Sequence, residues 1–565
     1  MEDSRNDQTL VSRRQILGGA AALGAATIAG GAHAFPVALG ERAATSDVIK
    51  VAGTPAGTVV LGVTQEAVNF NPLLYVNTGI DTIVEVAVFD SPWTINEKGE
   101  FVANLATEVP SVENGGISAD GLDWTIKLRT DVKWHDGKPF TARDVLFTYH
   151  TIMNPAVAVR SRAGHDQVAE ITAPDDHTVK IKLKQPFVPY LVTWQKTSII
   201  PEHLLKGEAD LNTAAFNTNP VGTGPFRFKN RVAGDYIEYE GNPDYHGDGP
   251  HIQTYIQKFV PDQQALFAQF QTGQVNIIDL QGIPPELFGR AKALPGKEVF
   301  PSPSTFVEFV YFNCAKPQFT DKRVRQALYL AMDKQAIIDQ IYAGVPVRSL
   351  SYLPPDHWAY NKDLQDPGFD TAKAAALLDE AGWAVGADGV REKDGVKLAF
   401  TISTTAGNKS RERAQQLLQQ NFKAIGVDMT LNNMPASVVW GDYTVKSEFD
   451  TLMVAWDPLL FPDPDYSDRI ASDRIPAKGG NGANYVQFQN AEVDELCRQG
   501  LNETVQEKRK AIYDRIQAIL LDELPFAPIL GYTTLVAKDA AVKGYGVNPY
   551  HSTNTWNCSS WTIES

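Results

Sequence analysis

The chain has 565 residues, of which 43% are hydrophobic and 21% charged, with a formal charge of −16. That length accommodates roughly three to four domain-sized units around a large core, and the composition excludes a disordered or collagen-like chain. The surplus of acids excludes non-specific nucleic-acid binding, which needs Lys and Arg to neutralise phosphates, and disfavours an anionic membrane surface. Three cysteines, Cys314, Cys497 and Cys558, permit at most one bridge. Three free thiols are the favoured reading; if a bridge forms, Cys497 with Cys558 is the more favourable pairing, because Cys314 lies in an apolar strand-like run.

The N-terminus reads as an export signal. Ser12-Arg-Arg-Gln-Ile-Leu17 leads into an Ala/Gly-rich run that ends at Ala32-His-Ala34, small residues at the −3 and −1 positions of a cleavage site before Phe35. The run is too short and too diluted by glycine for a membrane span. The paired arginines resemble a twin-arginine signal. Phe35, not cysteine, would follow the cut, so no lipid anchor is expected. Residues 1–34 are therefore expected to be a signal peptide, and 35–57 a small, polar linker.

Beyond the linker, Thr58-Val-Val-Leu-Gly-Val63 is β-branched and predicts a strand. Asp123–Arg129 and His177–Leu183 alternate apolar and polar residues, the period of half-buried strands. Val132–Trp134 extends the first toward the Asp136-Gly137 turn, and Thr141 to Asp144 opens a helix with capping-box spacing. From about residue 303 the style changes. Phe306–Asn313 is a near-continuous apolar strand suited to burial on both faces. Asp321 to Ala343 has helical spacing, Asp370 caps a helix over Thr371–Ala381, and Val396–Ser403, Arg411–Ile425 and Val427–Asn432 form a βαβ unit. Thr504 to Glu507 is a capping box that starts a helix ending before Pro525.

Catalytic signatures do not occur. There is no GxSxG elbow, no P-loop and no HExxH pair. Gly222-Thr-Gly224-Pro lacks the third glycine of a dinucleotide fingerprint and reads as close backbone packing. His135-Asp136 reads as a hairpin rather than a catalytic or metal pair. A secreted hydrolase is thereby disfavoured, and a binding protein favoured.

The run Asp120–Trp124, Leu128-Arg129, Val132-Lys-Trp-His-Asp-Gly-Lys-Pro-Phe-Thr-Ala142 and Asp144-Val145 resembles the signature of extracellular solute-binding proteins of family 5, the peptide- and nickel-type receptors of ABC importers. Val221–Phe226, Asn242–Tyr245, Phe312-Asn313 with Val324–Leu328, Ala372–Trp383, Phe461–Asp465 and Leu524-Pro525 are similar to family segments in family order. The resemblance implies an α/β, periplasmic-binding-protein-like (Venus flytrap) fold of the type II cluster, with two lobes and three domains. Domain I would comprise 58–97, 220–302 and 528–565, the extra inserted domain II 98–219, and domain III 303–527. It further implies a monomeric periplasmic receptor with no catalytic site and no cofactor. Such a receptor would deliver di- or oligopeptides to permease subunits in the inner membrane, without nucleic acid and without an anchor of its own.

Peptide-binding relatives are expected to pair the ligand ammonium with an acid three residues after the domain III tryptophan. Here Trp456 is followed by Asp457-Pro-Leu-Leu-Phe-Pro-Asp463-Pro-Asp465, one residue longer, with Leu459 at that position. Asp457 is the acid that could replace it, although Pro458 constrains its path; Asp463 and Asp465 suit turn bonds to backbone amides. A ligand without a free α-amine, an oligosaccharide or an opine-like sugar–amino-acid conjugate, is the alternative to a peptide. The family pattern also directs Phe70 and Asn71 toward the cleft. Thr404, Thr405 and Ala406 precede a helix, where backbone amides suit an anion. Trp440 and Tyr443 suit either stacking on a ligand or the core. Arg469 suits either a ligand carboxylate or the surface.

Overall fold

The computed structural model describes residues 55–564 except 75–77, 281, 457, 459, 460, 504 and 552. The expected signal peptide and most of the expected linker lie outside them.

A mixed sheet runs from one lobe into the other. Its spatial order is Asp428–Leu431, Ala399–Ser403, Thr451–Trp456, Lys297–Phe312, Phe526–Asp539, Ile277–Ile278, Thr58–Val63, Thr254–Phe259, Tyr236–Gly241 and Phe226–Val232. The strands Lys297–Phe312 and Phe526–Asp539 are long, antiparallel and shared by both halves. Lys297 pairs with Asp539 at one end and Tyr311 with Phe526 at the other, with a register shift between Pro303 and Val307. These are the crossing strands of a two-lobed α/β fold, in agreement with the expected periplasmic-binding-protein-like class.

Alternation along the first crossing strand divides the second lobe's core. Val307, Phe309 and Tyr311 pack with Leu452, Val454 and Ile516 on one face. Val310 and Phe312 pack with Leu328, Ile402, Leu418 and Met453 on the other. Both faces are covered, as the apolar run over Phe306–Asn313 predicts. Glu308 interrupts the second face. In the first lobe, Val59, Leu61, Ile83, Tyr239, Tyr255 and Trp561 build one core. A separate sheet of Asp123–Lys127, Thr178–Leu183 and Val168–Asp175 packs with the helix Ala142–Met153 around Trp93, Trp124, Trp134 and Trp194. The two strands read from alternation pair directly, Trp124 opposite Ile181. Asp144 does accept the Thr141 N–H at 2.9 Å, and its other oxygen takes the Glu202 N–H at 2.9 Å.

The glycines at 222 and 224 serve close packing, as the sequence suggests. A Cβ on Gly222 would lie 1.8 Å from the Val88 carbonyl oxygen. His135 fastens that loop: its Nδ1 accepts the Gly222 N–H at 3.2 Å, so its Nε2 carries the proton and donates to Gly224 O at 2.9 Å.

Several expectations need correction. The pattern from Asp321 to Ala343 folds as two helices, Lys322–Ala331 and Lys334–Ile341. Asp333 caps the second by accepting the Ala336 N–H at 2.9 Å, an alternative that competes with helix continuation. The first crossing strand starts nine residues before Phe306, at Lys297, because pairing with the second crossing strand carries it through Pro301 and Pro303. Val396–Ser403 divides at Leu398: Val396–Lys397 closes a small hairpin sheet, and Ala399–Ser403 pairs in parallel with Asp428–Leu431. The last long helix begins at Gln506; Thr504 of the expected capping box is outside the described residues. The favoured reading of the cysteines holds: Cys314, Cys497 and Cys558 are free thiols, Cys497 buried in the second-lobe core and Cys558 in the first-lobe core. No helix among the described residues is long and apolar enough to cross a membrane.

Candidate functional site

Where the crossing strands pass between the lobes they bound a cavity of about 240 Å³, with Asp279, Ser302, Phe306, Tyr532 and Asn554 in its wall and Ala455 from the second lobe. Asp279, 1% exposed, follows the short strand Ile277–Ile278. Asn554 donates to it twice, from its backbone N–H to Oδ2 at 3.0 Å and from Nδ2 to Oδ1 at 2.8 Å. Asn554 Nδ2 also reaches Ser302 Oγ at 3.1 Å. Burial pushes the Asp279 carboxyl up to about 6 against those bonds. His551, also in the wall, donates from Nε2 to Ile95 O at 2.9 Å, and burial pushes its imidazole down to about 4.

Behind Tyr532 lies Glu308, fully buried. Arg411 grips it with Nε at 2.8 Å and Nη2 at 3.0 Å, and the Tyr532 hydroxyl donates to Oε2 at 2.5 Å. A buried carboxylate is tolerable only with such partners. The network fixes Tyr532 in the cavity wall.

The structure separates the residues expected at the site into two groups. Trp440 donates from Nε1 to Thr405 Oγ1 at 3.0 Å and meets Trp456 edge-on, ring centroids 5.7 Å apart. The Arg469 guanidinium stacks on Trp456 at 4.1 Å, so this arginine is half-buried rather than on the open surface. Thr405, Trp440, Trp456 and Arg469 thus form one cluster. Successive side chains of a strand leave opposite faces, so this cluster and the cavity, which Ala455 touches, flank the end of Thr451–Trp456 on its two sides.

The other group is engaged in the fold. Phe70 and Asn71 are 2% and 3% exposed; Phe70 packs on Phe228, and Asn71 bonds Asn217 Oδ1 at 2.9 Å and accepts the Leu73 N–H. Their local turn points inward because the Asn71 side chain closes it. The Thr404 amide is taken by Asn433 Oδ1 at 3.1 Å and the Ala406 amide by Met434 O at 2.8 Å, so those two amides are not offered to an anion. Tyr443 shares a hydrogen bond with Ser403 at 3.0 Å beneath the cluster.

Asp457 and Leu459 lie outside the described residues. Asp463 accepts the Asp465 N–H at 3.0 Å and Asp465 the Ser467 N–H at 3.1 Å, the turn bonds expected of them. Asp463 has a further partner that the sequence pattern conceals: Arg509 binds both its oxygens, at 2.6 and 2.7 Å. Two contacts bridge the cleft at its rims. Phe461 stacks on Tyr550 of the first lobe with centroids 5.9 Å apart, and Val188 N–H donates to Leu501 O at 3.1 Å.

Two lobes joined by crossing strands, with a polar cavity between them, are the architecture of a protein that binds a small molecule between its lobes. The chain belongs to the bacterial extracellular solute-binding proteins of family 5, whose middle region matches residues 100–475. It is 29% identical over 536 residues to the oligopeptide-binding protein AppA of Bacillus subtilis, covering 93% of this chain and 95% of that one. It is 27% identical to the dipeptide-binding protein of Escherichia coli, covering 85% and 90%. Among solved structures, AppA of Bacillus subtilis in complex with a nonapeptide superposes with a TM-score of 0.78 at 27% identity, covering 91% of this chain and 100% of that one. NikZ of Campylobacter jejuni in complex with Ni(L-His) gives a TM-score of 0.78 at 27% identity, covering 90% and 100%. Among the described residues, no group of three or more His, Cys, Asp or Glu is placed to hold a metal ion.

Proposed function

We propose that the protein is the peptide receptor of an ABC importer. Exported to the periplasm and cut after Ala34, it encloses a di- or oligopeptide between its lobes and presents the closed form to permease subunits in the inner membrane. In this reading it is a monomer that hands its ligand over chemically unchanged. The observation that carries the reading is the cavity at the crossing strands, bounded by both lobes, in a chain whose relatives along almost its whole length include proteins named for binding oligopeptides and dipeptides.

Closure about the crossing strands expels water and strengthens the few polar contacts to a ligand. A saturating peptide ligand is expected to lower the radius of gyration in solution scattering and to raise the melting temperature by linkage. An unchanged radius at saturation would rule out capture by closure. Replacing both arginines of the export motif, Arg13→Lys with Arg14→Lys, is expected to abolish delivery through the twin-arginine route, read by fractionation. Undiminished delivery would exclude that route while leaving the receptor reading intact.

A further inference from the structure

We propose that Asp279 is the counter-charge for a ligand ammonium, so that the cavity seats the amino-terminal end of a peptide and turns its carboxylate away. The inference rests on the peptide-receptor reading and gives one end of that ligand a place. Its first support is the inventory of the wall. Asp279 is the one carboxylate among the described residues that line the cavity, and neither Lys nor Arg is among them. The hydroxyls of Ser302, Ser304, Thr534 and Thr553 can donate or accept, while that of Tyr532, its proton given to Glu308, can accept. The neutral His551 has already spent its ring N–H on Ile95.

The second support is that neighbouring charges are committed elsewhere. Arg411 is held by Glu308, so it is not free to meet a ligand carboxylate. Arg509 is held by Asp463 in the same way, and neither acid is left for an ammonium. Asp465 accepts from both the amide and the hydroxyl of Ser467. Asp279 differs. Its surroundings supply neutral donors from Asn554, one to each oxygen, and a carboxylate has about four acceptor positions. A buried carboxylate whose donors, the Asn554 amides and the Tyr545 hydroxyl, are all neutral is costly, in keeping with its raised pKa. A ligand ammonium supplies the missing charge, with hydroxyls around it for its remaining protons. A carboxylate in the same space would meet Asp279 and no cation.

The test compares a pool of free-amine tetrapeptides with the same pool Nα-acetylated and the same pool Nα-methylated, by native mass spectrometry and calorimetry. Acetylation, which removes the charge, is expected to weaken wild-type binding at least tenfold; methylation, which keeps it, less than threefold. Asp279→Asn is expected to bind the free-amine pool at least tenfold more weakly and to lose the discrimination, whereas Asp457→Asn should retain it. Equal binding of acetylated and free peptides, discrimination that survives in Asp279→Asn, or its loss in Asp457→Asn would overturn the assignment while leaving the receptor reading standing. Should Asp279→Asn fail to fold, the acetylation and methylation series on the wild type still decides. Binding of a neutral oligosaccharide pool with none of the peptide pools would instead remove the peptide reading, and this inference with it.

Discussion

Replacing Arg509 with methionine is expected to destabilise the second lobe by about 3–5 kcal/mol, the range for removing one partner of a buried ion pair. The guanidinium holds both oxygens of Asp463 and also donates from Nε to Gly500 O at 2.7 Å, so it ties the Phe461–Asp465 loop to two helices. The paired side chains are only 5% and 6% exposed, too dry for water to replace either partner. The variant leaves a buried, uncompensated carboxylate. The double variant Arg509→Met with Asp463→Leu is expected to recover most of the loss, because the penalty comes from the stranded charge. Urea unfolding followed by tryptophan fluorescence measures both. A single-variant loss below about 1 kcal/mol would mean that the pair is effectively solvated.

Acid is expected to weaken the fold through its neutral histidines. Burial pushes His357 and His135 each down to about 4. His357 Nε2 donates to Pro462 O at 2.8 Å while its Nδ1 accepts the Ala359 N–H at 3.1 Å, so a second ring proton would break that bond. His135 is locked by Gly222 and Gly224 in the same manner. An unfolded histidine titrates near 6.5. Below that pH the unfolded chain gains protons that the folded chain refuses until about pH 4. Stability is therefore at its full value above pH 6.5 and falls as the pH drops toward 4, on the order of 3 kcal/mol for His357. Asp465 and Glu85, raised by burial to about 6 and about 7, act in the opposite sense, because the folded state takes up their protons first. Melting curves from pH 7.5 to 4.5 on the wild type and His357→Gln separate the contributions: the variant should lose less stability across that window. Parallel curves would contradict the assignment.

Much of the fold is legible in local patterns, for a physical reason in each case. The strands around Trp124 and Ile181 show as alternation because one face is wet, and the first crossing strand shows as a solid apolar run because neither face is. The break at Met332-Asp333 is hidden because the flanking turns share one apolar stripe, and a single capping side chain decides it. The site was less legible. Trp440, Trp456, Thr405 and Arg469 do come together, since loops and aromatics near strand ends carry a local signal. The cavity wall carries none. Asp279 meets Asn554 across 275 residues of sequence and Glu308 meets Arg411 across 103, and such pairs are set by the crossing of two long strands. Phe70 and Asn71 are buried in the fold, because a loop next to a strand end can turn inward as well as outward.

The rim contacts have a consequence for how long cargo stays. The loop that carries Phe461 is pinned through Asp463 to Arg509, so the aromatic face cannot peel away alone. In the proposed capture by closure, exit would part the lobes and surrender the Phe461–Tyr550 stack and the Val188–Leu501 hydrogen bond together. At about 0.5–1.5 kcal/mol each, the two lengthen residence by roughly five- to two-hundredfold. Neither contact belongs to the cavity wall. In the proposed receptor, dwell time would thereby be uncoupled from the identity of the cargo's side chains.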